Sequence, residues 1–279
     1  MSRSRFVPAV LAAITLSVAS TVVQAADWPT WRHDATRSAV TDEKLPAELH
    51  LQWTRQLPRL TPAWPEDPRI QFDACYEPVV MGGTRFVSSS ANGSRTAYDT
   101  RTGAEKWRFY TDGPVRFAPI AAEGRVYFGS DDGCFYCLDA SDGRQLWKFN
   151  AAPTDRNVLG NDRLISVWPI RGGAVLADGK LHFTAGVWPF EGTFLYTLDA
   201  ETGRPVDQSP RSGVLTLKDL SPQGYLAVAG DRLFIPCGRS VAACQDLSTG
   251  EFLSYSYSTS GTTDYHVALS GNLLFHGRV

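Results

Sequence analysis

Cysteine is the residue type whose spacing most directly suggests chemistry in this chain. Cys134 and Cys137 stand three residues apart, a spacing that can hold a metal ion or form a redox pair. On a β-strand, residues three apart point to opposite faces, so these two thiols would not converge. We therefore interpret them as packed free thiols. A disulfide between Cys237 and Cys244 is not expected either, because the hairpin projected from the second repeat unit places Cys244 opposite Ile235.

The remaining chemistry-bearing residues lack the neighbours that catalysis or metal binding needs. Asp131-Asp132-Gly133 has the composition of a calcium loop, but a tight turn needs the same residue types. The five histidines stand at positions 33, 50, 182, 266 and 276, without metal-ligand spacing. The chain contains no Gly-x-Ser-x-Gly elbow and no phosphate-binding loop. The sequence predicts no catalytic residue, no cofactor-binding residue and no metal ligand.

Arginine and aromatic residues cluster in segments that lengthen the third unit of an internal repeat. The link from Gly143 to Gly179 is longer than the link from Gly103 to Gly124, and in a four-stranded antiparallel sheet the added loops fall on one face. Such residues on loops of a rigid scaffold are typical of ligand or partner surfaces. The candidate partner face consists of Arg156, Asn157, Arg163, Trp168, Arg171, Trp188, Glu191 and Arg211. Alternatively, Trp168-Pro169 and Trp188-Pro189 only wedge these loops shut.

The elements that position these residues are indicated by a box of Asp and Gly that occurs four times. In each box the Asp side chain can bond the backbone two residues on, and the Gly supplies a positive φ. The boxes run from Asp99 to Gly103, from Asp139 to Gly143, from Asp199 to Gly203 and from Asp246 to Gly250. Trp107 and Trp147 follow the first two boxes and are expected to fill the gap to the next sheet. Because the third and fourth units have Asp207 and Ser254 in that place, we expect a looser contact there.

Further turn signals divide each unit into four short strands. Asn92-Gly93 and Asp132-Gly133 precede the first two boxes at a fixed distance and are strong hairpin signals. The stretches between them show no sustained helical period with caps. The predicted fold class is therefore all-β, a β-propeller of four-stranded antiparallel blades, with about four blades and part of a fifth. A β-sandwich is the alternative.

Composition and the start of the chain narrow the class of protein. The 279 residues carry a formal net charge of -2, which leaves no basic field for nucleic acid. Residues 1–25 begin with Arg3 and Arg5 and continue as an apolar run, which is typical of a secretory signal peptide cleaved after Ala25. An uncleaved membrane anchor is the alternative. We expect an exported protein of the periplasm or cell envelope, with no transmembrane span after the signal is removed.

The sequence predicts three regions along the chain. Residues 1–25 are the signal peptide, residues 26–75 are an N-terminal leader, and residues 76–279 are an incomplete propeller. Within the leader, Leu51-Gln52-Trp53 is expected to form an outer strand that is supplied early and completes the last blade. Because the sequence stops inside its fifth unit, we expect the missing blades to come from a longer chain or from a second chain.

The second unit carries a family resemblance. It reads Gly124-Arg125-Val126-Tyr127, then Asp132-Gly133, then Leu138-Asp139-Ala140, and ends at Trp147. This pattern resembles the pyrroloquinoline-quinone-type repeat of quinoprotein-like β-propellers, and Trp28-Pro29-Thr30-Trp31 is similar to their opening segment. The nearer likeness is to exported BamB-like propellers, named for the propeller subunit of the outer-membrane barrel-assembly machinery. Quinone-dependent alcohol dehydrogenases share the repeat but carry an adjacent Cys-Cys pair, which this chain lacks.

The resemblance implies a function without catalysis. We expect an exported scaffold that binds protein partners through the candidate partner face. The alternative is an oxidoreductase that depends on pyrroloquinoline quinone (PQQ) and Ca²⁺, and no cofactor ligand can be assigned for it. A second alternative is a glycan-binding propeller in which Trp168 and Trp188 stack on sugars.

Overall fold

The computed structural model describes residues 26–66, 72–160, 163–206, 214–217, 220–237, 242–254, 267–270 and 273–276. The predicted signal peptide and Arg211 lie outside the described residues. The described part contains four sheets of four antiparallel strands each, and a further two-stranded hairpin follows them. The predicted all-β fold of four blades and part of a fifth is therefore confirmed. No helix in these residues is long and apolar enough to cross a bilayer.

The strands follow one another in blade order. Blade 1 consists of β1 (Val79–Met81), β2 (Thr84–Ser89), β3 (Ser94–Asp99) and β4 (Glu105–Tyr110), and blade 2 of β5 (Ile120–Ala122), β6 (Arg125–Gly129), β7 (Cys134–Asp139) and β8 (Gln145–Asn150). The link to blade 3 carries β9 (Asn157–Gly160), β10 (Arg163–Ser166) and β11 (Gly172–Gly173). Blade 3 consists of β12 (Val175–Ala177), β13 (Lys180–Ala185), β14 (Phe194–Asp199) and β15 (Val214–Thr216), and β16 (Gly224–Tyr225) follows it. Blade 4 consists of β17 (Ala227–Ala229), β18 (Arg232–Ile235), β19 (Ala243–Asp246) and β20 (Phe252–Ser254). The last hairpin consists of β21 (Val267–Ser270) and β22 (Leu273–His276).

The first strand of each blade is the innermost one. Within every blade the strands pair antiparallel in chain order. The first strands of successive blades contact one another, β1 with β5, β12 with β17, and β17 with β21. Outside the blades, β9 pairs with β10, and β11 pairs in parallel with β16. The blades therefore stand side by side around a common axis.

The Asp and Gly boxes form the turn between the third and fourth strands, as the sequence predicts. In the first box, Asp99 Oδ1 accepts hydrogen bonds from the backbone N–H of Thr102 at 2.7 Å and from its hydroxyl at 2.8 Å. Asp199 binds Thr202 in the same way. Gly103 closes the first turn with a φ of 70°, a region that side-chain-bearing residues rarely adopt.

The tryptophan after each box docks on the next blade. Trp107 Nε1 donates to Ala140 O at 2.9 Å, and a Cβ added to Gly143 would lie 2.6 Å from the Trp107 ring. Trp147 docks on Gly203 likewise. The predicted filling of the gap between blades is therefore confirmed. Gly250 of blade 4, in contrast, has no described atom within 4 Å of its Cβ position. Asp207, on which the looser contact expected beside blade 3 depends, lies outside the described residues.

Trp53 makes the corresponding contact on blade 1. Its Nε1 donates to Thr100 O at 2.8 Å, and a Cβ on Gly103 would lie 2.6 Å from its ring. Residues 51–53, however, form no strand, whereas an early outer strand was predicted. The physical reason is that the described residues offer them no neighbouring strand to pair with. The Trp53 side chain thus docks on blade 1 although its backbone is not paired with a strand.

One end of the axis is covered by residues 28–37. Backbone hydrogen bonds join Trp28 to Val80, Pro29 O to Ala121 N, Ala35 O to Val228 N and Thr36 O to Leu269 N. The segment therefore contacts the innermost strands β1, β5, β17 and β21. The fully buried Arg37 adds blade 3 and a second contact near blade 4, because its guanidinium donates to Ala174 O at 2.7 Å and to Leu226 O at 2.9 Å.

Candidate functional site

A two-stranded hairpin of β9 and β10 projects from the link between blades 2 and 3. Leu159 pairs with Leu164, and the two side chains are 71% and 67% exposed. Val158 pairs with Ile165, which is buried. Because side chains alternate along a strand, Ile165 packs inward from one face of the hairpin, where Val158 is still 36% exposed, and the other face presents a leucine pair to solvent.

An ion pair ties the base of this hairpin to the lengthened loop of blade 3. Arg156, next to β9, forms a bidentate pair with Glu191 at 2.8 and 3.0 Å. The Arg156 guanidinium also lies 5.6 Å from the centre of the Trp168 ring, and Trp168 Nε1 donates to Glu191 O at 2.8 Å. The hydrogen bonds from Arg156 lower the pKa of Glu191, so this carboxylate stays charged at neutral pH. Two long loops are thereby held as one unit.

Phe190 stands on this unit with an exposed ring. It lies in a single 3-10 turn, Pro189–Glu191, and is 84% exposed. Trp188, which precedes the turn, is half-buried. On the other side of the hairpin, Arg163 donates to Ala91 O in the middle turn of blade 1. The loops therefore reach from blade 3 to blade 1.

The structure divides the candidate partner face into exposed and buried residues. Arg156, Trp168 and Glu191 form one cluster, Asn157 is exposed beside it, and Arg163 contacts blade 1. Trp168 and Arg171 were expected on the surface but are only 4% and 3% exposed. The buried Trp168 ring has no free face on which a sugar could stack. Trp168 packs under the loops, as the wedge alternative predicts, and Arg171 turns inward because a buried carboxylate binds it.

That carboxylate belongs to Asp131 and is the centre of a buried ionic network. Asp131 Oδ2 accepts from Arg116 Nε at 2.7 Å and from Arg171 Nη2 at 3.1 Å. Arg116 also donates to Asp73 Oδ2 at 2.7 Å. Burial alone would raise the pKa of Asp131, but the charges of Arg171 and Arg116 outweigh it and hold the pKa below the ordinary value. At Asp73 burial prevails and the pKa is raised.

This network was missed because Asp131 was interpreted as a turn residue. The turn is made by Asp132, whose Oδ1 accepts from Cys134 N at 2.9 Å. Asp131 is therefore free to bind arginines. The available signal was the second acid in Asp131-Asp132-Gly133, since a hairpin turn needs only one.

The network also holds residues 61–64, which form a strap across the second end of the axis. Arg116 donates to Thr61 O at 2.7 Å, and Trp64 Nε1 donates to Gln223 Oε1 at 2.8 Å. The Arg171 guanidinium lies 5.4 Å from the centre of the Trp64 ring. Residues 61–64 therefore run from blade 2 to the start of blade 4.

Aromatic rings fill the axis between the strap and residues 28–37. Trp31 stacks on Tyr225 with centroids 4.1 Å apart, Tyr225 meets Phe117 edge-on at 5.0 Å, and Phe117 stacks on Phe72 at 5.1 Å. The Tyr225 hydroxyl is hydrogen-bonded to Glu77. Burial raises the pKa of Glu77 to about 7, against the opposing effect of its hydrogen bonds. The described axis is a packed core.

Cys134 and Cys137 are free thiols in the described structure, as expected. Cys134 and Cys137 are buried, and burial raises the pKa of Cys137 to about 12. Cys244 pairs with Phe234, so the expected pairing with Ile235 was wrong by one residue. The hairpin between β18 and β19 does not repeat the register of the second unit.

The repeat, the blades and the docked tryptophans define a propeller of the PQQ-repeat class. The family described as outer membrane protein assembly factor BamB matches residues 21–278, so the chain belongs to this family.

Similar proteins include enzymes. The dehydrogenase subunit of a quinone alcohol dehydrogenase from Gluconacetobacter polyoxogenes is 28% identical over 46% of this chain and 18% of its own length. A polyvinylalcohol dehydrogenase from Sphingopyxis sp. (strain 113P3) is 26% identical over 65% of this chain and 28% of its own length. The chain thus spans less than a third of either relative. The quinohemoprotein alcohol dehydrogenase structure from Comamonas testosteroni matches 87% of this chain and 43% of its own, with a TM-score of 0.53 and 18% identity, a likeness that shows the fold alone.

Proposed function

We propose that this protein is an exported, non-catalytic β-propeller scaffold that binds another protein through an apolar platform of Leu159, Leu164 and Phe190. The observation that carries the proposal is the exposure of these three large side chains, 71%, 67% and 84%, on loops added to the repeat. Large apolar groups exposed together on a rigid support are typical of interaction sites. The family description, which refers to outer-membrane assembly, favours a partner from that process.

The anchoring of the platform supports this proposal. The Arg156–Glu191 pair joins the hairpin to the turn that carries Phe190, and Ile165 fixes the inner face of the hairpin in the core. A preformed surface loses little conformational entropy on binding. Export is supported by the signal-peptide pattern of residues 1–25.

A PQQ-dependent oxidoreductase is the second candidate, and it is favoured by the quinone dehydrogenase among the relatives. PQQ carries three carboxylates, and Ca²⁺ takes about six to eight oxygen ligands. The buried guanidiniums of Arg116 and Arg171 are already paired with Asp73 and Asp131. Within the described ranges, no three His, Cys, Asp or Glu side chains come together to hold a metal. The described residues therefore do not fit the cofactor and its ion. An oxidoreductase of this kind would need ligands from residues outside the described ranges.

Site-specific photocrosslinking tests the scaffold. A photoreactive amino acid at Leu164 is expected to give one defined adduct with an envelope protein in cells of the source organism. The same group at Leu45, which is 77% exposed in the N-terminal segment, is the control and should not give that adduct. Phe190→Ser should weaken the Leu164 adduct without unfolding the protein. An equal adduct from both positions would contradict the proposal.

Reconstitution separates the two candidates. The protein is incubated with PQQ and calcium chloride, passed through a desalting column and examined for a bound chromophore and for dye reduction with alcohols. Retained chromophore together with dye reduction would establish the oxidoreductase, whereas the scaffold predicts neither.

A further inference from the structure

A cavity lies between blades 1 and 2. It has a volume of about 650 Å³, within the range of small-molecule sites. Met81, Phe86 and Leu146 form apolar walls, and Thr84, Lys106 and Ser141 are among the polar residues. The cavity lies at the turns that end β1 and β7, and the platform described above is carried by the links between blades. The cavity and the platform are therefore separate sites.

The next cleft along the ring shows what normally fills this space. Thr84 and Arg125 occupy the same position in their blades, because Thr84 pairs with the box residue Asp99 and Arg125 with Asp139. Arg125 crosses the cleft between blades 2 and 3, where its Nη1 donates to Glu201 O at 2.7 Å. In blade 1 the shorter threonine cannot cross. The cavity between blades 1 and 2 thus includes the space that corresponds to the one an arginine side chain occupies in the next cleft.

The acceptor for that absent arginine is still in place. Glu201 is the second residue after Asp199, and Ser141 is the second residue after Asp139. Ser141 O receives no hydrogen bond from any described residue. Arg125 lines the cavity as well, but Glu123 and Asp139 also line it and leave this wall with a net negative charge. The wall formed by blade 2 is therefore suited to a guanidinium group.

The wall formed by blade 1 is suited to an anionic group. Lys106 Nζ donates to Thr84 Oγ1 at 2.8 Å, which leaves further N–H groups of the ammonium for a ligand. The position of Lys106 is taken by Leu146 in blade 2, so blade 1 has a positive charge at this position and blade 2 does not. Apolar walls between the two charged groups suit a methylene chain.

We propose that the cleft between blades 1 and 2 binds an arginine that has a free carboxylate, either the amino acid or the C-terminal residue of a polypeptide. The guanidinium takes the place that Arg125 has in the next cleft and donates to Ser141 O. The carboxylate accepts from Lys106. This proposal is independent of the scaffold function and of its surface.

Calorimetric titration with L-arginine, with Gly-Gly-Arg and with agmatine, which lacks the carboxylate, tests the site. Wild type is expected to bind arginine or Gly-Gly-Arg with a stoichiometry of one, and agmatine at least about tenfold more weakly, because one charge-assisted hydrogen bond is lost. Binding of Gly-Gly-Arg alone identifies the polypeptide source, and binding of free arginine identifies the amino acid. No binding of either in the millimolar range would overturn the proposal.

Two variants probe the two walls. Thr84→Arg should abolish binding, because the new guanidinium reaches Ser141 O, whereas Thr41→Arg makes the same change at an exposed position outside the cleft and should bind normally. Lys106→Leu copies blade 2 and should reduce the preference for arginine over agmatine to about one. The side chain of Lys106 is exposed, so this variant should fold even if Thr84→Arg does not. An unchanged preference in Lys106→Leu would overturn the proposal.

Discussion

At the residue scale, Glu77 is a carboxyl group whose charge conflicts with its surroundings. It lies beside Tyr225 on the axis, and burial raises its pKa from 4.5 to about 7. The folded state therefore holds this proton more tightly than the unfolded state. The resulting stabilisation is complete below pH 4.5 and is lost as the pH rises through 7.

Glu77→Gln should remove this pH dependence. The free energy of unfolding of wild type relative to the variant is expected to fall by about 3 kcal/mol between pH 4.5 and 8, because each unit of pKa shift corresponds to about 1.4 kcal/mol. Urea unfolding of both proteins at several pH values measures the difference, and the subtraction cancels the titration of other groups. A constant difference across this range would show that Glu77 does not titrate as stated.

Asp131 is the residue on which the buried arginines depend. Asp131→Asn keeps the shape but leaves Arg116 and Arg171 without their shared carboxylate, so we expect a loss of about 3–5 kcal/mol. Chemical denaturation measures it. Asp155→Asn, at an exposed position, is the matched control and should change stability by less than about 0.5 kcal/mol. Equal effects of the two substitutions would refute the role assigned to the network.

At the scale of elements, the docked tryptophan is the unit that joins one blade to the next. The contact could be predicted because the Trp and the Gly lie at fixed distances from a box that recurs along the chain. The ionic network could not be predicted in the same way. Its members Asp73, Arg116, Asp131 and Arg171 come from four segments, and no local pattern marks their meeting. The arginines were visible in the sequence, but their burial depends on partners that only the tertiary structure brings together.

A pair of glycine substitutions isolates the contact between blades. Gly143 and Gly250 both have a φ of 76°, so Ala strains the backbone equally at either position. Only at Gly143 does the added Cβ meet a tryptophan, at 2.6 Å. Gly143→Ala should therefore cost about 1–3 kcal/mol more than Gly250→Ala in thermal unfolding. Equal costs would mean that the tryptophan contact contributes nothing beyond the turn.

At the scale of the whole molecule, residues 28–37 connect blades that are distant in sequence. The blades themselves follow from the repeat, but the covering of the axis does not, because the opening segment carries no pattern of its own that assigns it to a particular strand. Arg37 is the clearest case, since its guanidinium binds carbonyl groups at the starts of blades 3 and 4.

Arg37→Lys tests this connection. A lysine keeps the charge but cannot donate in the two directions that the guanidinium uses, so buried carbonyls lose their donors. We expect a loss of about 2–4 kcal/mol in the free energy of unfolding and earlier proteolytic cleavage within residues 38–60. Arg32→Lys, a neighbouring arginine that is only partly buried, is the control. The connection is refuted if the two variants are equally stable and equally resistant to protease.

The hydrogen bond between Thr36 and Leu269 also bears on the order in which the chain folds. Contacts between residues so far apart in sequence form late, because closing the long loop between them costs conformational entropy before the contacts can stabilise the fold. Residues 28–37 can therefore settle only when the hairpin of β21 and β22 exists. Each blade can form locally as it is made, whereas the described axis is covered only after β21 and β22 have been made.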